Sequence, residues 1–202
     1  MSPTVEALGS ADVPQAVSVL SEVFFDYPLM RFVLGASEDY SDRLRLFVNF
    51  LVMSRMRRNE VVLGVRGADG LDAVAVVSYP EDGGVPPETT SDPDGTWAKL
   101  GDAAKERYES FRTVAGSVNV DPPHLYVSMF GVRRAGQERR CAEALLEAAE
   151  ELSVFTPSST GVTVRTEEPL HLSFYERNGY VVIGSAGAES AIRTWGLYRG
   201  NR

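Results

Sequence analysis

Apolar residues recur at spacings of three and four in two places early in the chain. Val17, Leu20, Val23 and Phe24 follow the candidate caps Ser10 and Asp12, and Leu44, Phe47, Val48, Leu51 and Val52 lie within residues 41–58. A period near 3.6 turns one helix face toward a core, so two helices are predicted ahead of the main sheet. Pro14 falls in the first turn of the earlier one, where its missing N–H is harmless. Before them, TVEALG reads as a short strand. Val61–Gly67 and Leu71–Tyr79 are β-rich runs around Gly67-Ala68-Asp69-Gly70 and predict a hairpin.

Residues 80–95, PEDGGVPPETTSDPDG, are rich in Pro, Gly and acids and predict a flexible or ligand-lining loop. A third helix is expected over 96–118. Asp121-Pro122-Pro123 then leads into a strand over 125–132, followed by a helix over 138–152, a strand over 161–166, a helix over 168–178 and strands near 180–185 and 192–199. The central feature is HLYVSMFGVRRAGQERRCAEALL, where a strand passes through a polar turn directly into an amphipathic helix. A helix N-terminus offers unpaired backbone N–H groups and the positive end of its dipole, which suits phosphate.

The 202 residues suit one domain spanning 1–202, with 44% hydrophobic and 24% charged residues. No apolar run approaches the roughly 20 residues needed to cross a bilayer. MSPTVEALGS has neither a basic start nor a hydrophobic stretch, so a cytoplasmic location is expected. A formal charge of −8 argues against nucleic acid as a partner and toward cationic ligands. One cysteine excludes an internal disulfide, and with only two histidines a His/Cys metal site is not expected.

PHLYVSMFGV, ALLEAAEE and above all LSFYERNGYVVIG resemble the GCN5-related N-acetyltransferase superfamily, and ADVPQAVSVLSEVFFDYPLMRFVLG resembles the opening of its puromycin-acetyltransferase-like branch. The resemblance spans nearly the whole chain. It implies an α/β fold: a central, mostly antiparallel sheet of six or seven strands, splayed between the fourth and fifth, with helices on both faces. It also implies acetyl-CoA as the acyl donor, a small-molecule amine as acceptor, and a possible homodimer. Two alternatives keep the fold and abandon acetyl-CoA: a repurposed catalyst acting on a natural-product intermediate, or a non-catalytic binding module.

The family's cofactor motif, Q/R-x-x-G-x-G/A, falls on Gln137, Glu138, Arg139, Arg140, Cys141 and Ala142. Gln137 and Ala142 match, whereas Arg140 replaces a glycine at the point of closest backbone approach to pyrophosphate. Two outcomes are open. Arg139 and Arg140 swing outward and pair with CoA phosphates, or the turn is closed to CoA. Phe130 and Val132 are expected to hold the pantetheine arm through main-chain atoms, and His171 stands where this branch commonly has an asparagine contacting that arm. Tyr175 matches the tyrosine that protonates the leaving thiolate.

Parity along the strand turns Ser128 toward the site. No general base stands out: His124 reads as structural, and Glu81 and Asp82 as loop acids. Cys141 sits in a first helical turn, where a thiol pKa falls, but reads as a small buried hydrophobe. Trp97, Tyr108 and Phe111 suit packing or the lining of an acceptor pocket.

Overall fold

The computed structural model describes residues 3–79, 92–138, 140–187 and 192–202. Among these, the strands are β1 (Val5–Ala7), β2 (Val61–Gly67), β3 (Gly70–Ser78), β4 (Leu125–Val132), β5 (Gly161–Thr166), β6 (Val181–Ala186) and β7 (Thr194–Gly200). They form a single seven-stranded sheet in the order β1-β2-β3-β4-β5-β7-β6. Every neighbouring pair is antiparallel except β4 and β5. The expected mixed sheet is therefore present.

One face carries α1 (Val13–Val23), α2 (Pro28–Leu34), α3 (Tyr40–Arg57), α4 (Thr96–Leu100) and α5 (Asp102–Gly116), around a core that includes Leu20, Phe47, Val48 and Val76. The other face carries α7 (Cys141–Phe155) and α8 (Leu172–Arg177), whose Leu145, Leu146 and Tyr175 pack with Val127 and Val164. A five-residue helix, α6 (Arg134–Glu138), joins β4 to α7. The apolar stripe of α1, Val13, Ala16, Val17 and Leu20, is buried as its spacing requires. Each such Val or Leu contributes roughly 1.5–3 kcal/mol.

Four local expectations change. Ser10–Asp12 form a 3-10 turn rather than a simple cap, with the Asp12 carboxylate accepting the Gly9 N–H at 2.9 Å. The helix α2 follows Tyr27 in a segment too short and too apolar to show a period. The predicted helix over 96–118 is broken at Gly101, whose φ of 86° is left-handed. The helix expected from 138 starts instead at Cys141, after a left-handed Arg140.

Residues 80–91 of the expected loop lie outside the described residues, but 92–95 are organised. The Asp92 carboxylate accepts the N–H groups of Thr96 and Trp97, both at 2.8 Å, and thereby starts α4.

Candidate active site

The two central strands part company in mid-sheet. β4 pairs with β5 only through Leu125↔Val162, Tyr126↔Thr163 and Val127↔Val164, although β4 continues to Val132 and β5 to Thr166. On its other side β4 follows β3 throughout, but Val76 faces Met129 while Val77 faces Val127, so Ser128 is an extra residue. An extra residue bends a strand and increases its twist. The bend falls where pairing with β5 ends, and it opens a wedge whose main-chain groups beyond Val127 have no β5 partner. The extra residue also changes which face each residue takes: Leu125 and Val127 before it and Phe130 and Val132 after it all pack on the α7 side, whereas Met129 and Gly131 meet the α1 side.

A cavity of about 700 Å³ fills this wedge and reaches the helices α1, α3 and α5. Phe130, Val132, Gln137, Ala142, Phe174 and Tyr175 line its mouth, a size and mixture of walls suited to a small-molecule site. Ser128 and His171 line it as well. The Ser128 hydroxyl donates to the Val76 carbonyl at 3.3 Å, which ties it to the bend.

The turn into α7 is held from behind by Arg133. Its guanidinium donates to Glu22 at 2.8 Å, to Ser18 at 3.0 Å and to the Leu71 carbonyl at 3.2 Å, joining the turn to α1 and β3. Its carbonyl takes the N–H groups of Gly136 and Gln137, at 2.9 and 3.1 Å, and the Gln137 carbonyl takes that of Arg140 at 3.2 Å. Those three amides close the turn itself. The first-turn amides of Ala142 and Glu143 have no backbone partner among the described residues, and they point out of a 15-residue helix at its positive end.

Arg140 adopts φ 58° and ψ 35°, the left-handed geometry in which glycine is normally favoured. Its side chain is 77% exposed and approaches Glu143 at 3.4 Å. The arginine thus adopts a backbone shape that glycine favours, with its side chain largely in solvent. Arg139 and the Glu138 side chain lie outside the described residues. The Cys141 side chain is fully buried in the core beneath α7, as a small hydrophobe would be.

Tyr175 is buried at the cavity wall, edge-on to Phe174 at 5.3 Å and to Tyr180 at 5.9 Å. Burial, reinforced by the nearby charge of Glu167, raises its phenol pKa well above the ordinary value. The group stays protonated at neutral pH.

Glu167, just past the end of β5, was not identifiable from sequence. It is buried on the cavity wall, and its carboxylate accepts the Thr194 hydroxyl at 2.7 Å. Burial raises its pKa, partly offset by Thr194 and Tyr27. Its backbone N–H donates to the Tyr27 hydroxyl at 2.9 Å, and that hydroxyl lies 3.2 Å from Thr166 Oγ1. Thr166 Oγ1 in turn lies 3.3 Å from Nδ1 of His171, whose ring stacks on Tyr27 at 6.3 Å. Burial lowers the His171 pKa, favouring the neutral ring. Glu-Glu-Pro reads as a polar turn in the sequence, and only tertiary contacts with Tyr27 and Thr194 bury its first acid.

Of the remaining candidates, His124 does not line the cavity. Its Nδ1 lies 2.8 Å from the Pro122 carbonyl oxygen, and burial lowers its pKa. Glu81 and Asp82 lie outside the described residues. Trp97 packs among Phe47, Phe50 and Tyr108, whereas Tyr108 and Phe111 reach the cavity. Among the described residues, no group of His, Cys, Asp or Glu is arranged to hold a metal ion, and no helix is long and apolar enough to cross a membrane.

No family model matches the sequence. Solved structures do match over its full length. Histone acetyltransferase HPA2 and related acetyltransferase from Corynebacterium glutamicum superposes with a TM-score of 0.71 at 18% identity, covering 100% of this chain and 98% of its own. Arylalkylamine N-acetyltransferase 2 from Aedes aegypti gives 0.67 at 14% identity, covering 98% and 99%. The polyamine N-acetyltransferase of Drosophila melanogaster, which forms N-acetylagmatine, gives 0.58 at 15% identity, covering 98% and 99%. At these identities the likeness establishes the architecture: the chain has the fold of the GCN5-related N-acetyltransferases.

Proposed function

We propose that the protein transfers an acetyl group from acetyl-CoA to the amine of a small molecule. The observation that carries this reading is the wedge opened where β4 leaves β5 after Val127↔Val164, with the N-terminus of a long helix at its mouth. The group fits the residues present. Arg140 preserves the left-handed turn and turns its side chain outward, and the Ala142 and Glu143 amides offer donors to a phosphate. Gln137, Glu138, Arg139, Arg140, Cys141 and Ala142 form the phosphate-holding turn in this reading, and the main chain at Phe130 and Val132 holds the pantetheine arm, with His171 beside it.

Acetyl-CoA supplies an acyl group activated as a thioester. The chain's own residues divide the remaining tasks. Glu167, a buried carboxylate with a raised pKa, takes the proton from the incoming ammonium so that the neutral amine attacks. Unpaired main-chain N–H groups of the bent β4 stabilise negative charge on the carbonyl oxygen. Tyr175, kept protonated by burial, delivers a proton to the departing thiolate. Ser128 contributes by fixing the bend through Val76.

The test is release of free thiol from acetyl-CoA in the presence of a panel of primary amines, with product mass confirming one added acetyl group. Amine-dependent release that falls in Tyr175→Phe supports the reading. Absence of release with every amine, together with absence of acetyl-CoA binding, refutes it.

A further inference from the structure

The cavity wall away from the α7 turn is lined by arginine. Arg55 of α3, Arg112 of α5 and Arg165 of β5 are separated by more than fifty residues each in sequence, and all reach the same cavity. Arg55 is the most informative. Its side chain is only 11% exposed, yet its one ionic contact among the described residues, with Glu60, is 3.5 Å long.

Glu60 is already engaged. One of its oxygens receives Nε and Nη2 of Arg58 at 3.0 and 2.8 Å, and the other receives the Ser78 hydroxyl at 2.7 Å. One carboxylate thus serves two guanidinium groups, and the more buried of the two is poorly served. Arg165 donates Nη2 to the Val118 carbonyl at 3.0 Å and lies over the Tyr126 ring at 4.8 Å, with no carboxylate at ion-pair distance among the described residues. Arg112 adds a third guanidinium, whose pKa is lowered by burial and then by the neighbouring Arg55 charge.

Of the carboxylates facing this cavity, Glu167 follows Arg165 by two residues and feels its charge, and each of the four has another partner. Asp26 pairs with Arg31 at 2.6 Å, Glu143 faces Arg140, the Glu168 side chain accepts the Leu170 N–H, and Glu167 takes the Thr194 hydroxyl. Three guanidinium groups therefore line the cavity, Arg55 buried and Arg112 and Arg165 half-buried, beside apolar walls from Phe47 and Leu51. Burying guanidinium groups is costly unless an anion completes their hydrogen bonds, and their planar forks suit oxyanions.

We propose that the acceptor amine carries an oxyanion, a carboxylate or a phosphate, seated on Arg55 and Arg165 with Arg112 alongside. The inference rests on the acyl-transfer reading only for naming the ligand an acceptor. It separates this chain from a site built for a polyamine, whose second cation would meet the arginine wall.

The experiment is equilibrium binding by calorimetry, measured without turnover in the presence of CoA, for two matched pairs: phenethylamine against phenylalanine, and ethanolamine against phosphoethanolamine. In at least one pair the anionic member should bind about tenfold or more tightly, the worth of one charge-assisted hydrogen bond. Which pair shows the effect distinguishes carboxylate from phosphate. Arg55→Gln and Arg165→Gln should each shrink that ratio toward one, with an unchanged circular dichroism spectrum showing that the variant is folded. Equal or weaker binding of the anionic member in both pairs, or a ratio untouched by both substitutions, overturns the proposal. A preserved ratio in wild type with no acetyl transfer to any amine leaves the anion subsite standing and refutes only the acyl-transfer reading.

Discussion

Replacing Arg140 by glycine and, separately, by alanine measures the strain in the turn that precedes α7. Arginine and alanine both carry a Cβ, which in the left-handed region costs roughly 1–2 kcal/mol. Glycine escapes that cost but gives back about 0.4–1 kcal/mol through its greater freedom in the unfolded chain. Both variants lose the 3.4 Å contact with Glu143, made by a side chain that is 77% exposed and worth about 0.2–0.5 kcal/mol. The glycine variant should therefore exceed the alanine variant by about 0.5–1 kcal/mol, and should match or slightly exceed the natural protein. Urea denaturation with all three proteins free of ligand reads this difference directly. An alanine variant as stable as the glycine one would refute the left-handed turn, and with it the claim that Arg140 stands in for a glycine.

Tyr175→Phe should lower kcat by about 10²-fold, within the range of a lost general acid, while the acetyl-CoA dissociation constant changes little; a variant with full kcat would remove Tyr175 from the chemistry. For Glu167 the sign of the pH effect is set by burial, which raises the folded carboxyl above its unfolded value. Its contribution to stability is thus intact below the unfolded carboxyl range and is lost as pH climbs through the raised folded value. The same titration generates the base, so kcat/KM should rise with pH above the ordinary carboxylate range, and Glu167→Gln should abolish that limb together with most turnover. An unchanged pH profile in the variant would assign the base elsewhere. Gly131→Ala places a Cβ 3.0 Å from Leu20 and 3.4 Å from Val23, pressing α1 away from β4; a loss of about 1–3 kcal/mol in chemical denaturation is expected.

Much of the architecture was legible because it is repetitive. The helical spacings of Leu44, Phe47, Val48 and Leu51 and of Leu145, Leu146 and Ala149 each follow from which face meets a core. The bend at Ser128 was not legible, since burial still alternates residue by residue along β4 although the extra residue brings Phe130 and Val132 to the face of Val127, and only the partner strand reveals the slip. Tyr175 was singled out by its place in FYERNGY, and it lies on the cavity wall. Glu167 was missed because its burial depends on Tyr27 and Thr194, more than twenty residues away on either side. The arginine wall was hidden for the same reason: two helices and one strand contribute one residue each. Net charge could not reveal it, because a count over the whole surface says nothing about one cavity wall.

The central claim is that the wedge between β4 and β5 and the turn from Gln137 to Ala142 accept acetyl-CoA. Calorimetric titration of the purified protein with acetyl-CoA tests it without reference to any acceptor. The account predicts saturable one-site binding, with the melting temperature rising in step and about 2.7 kcal/mol of added stability at 100 times the dissociation constant. No heat of binding and no change in melting temperature at millimolar acetyl-CoA would contradict it.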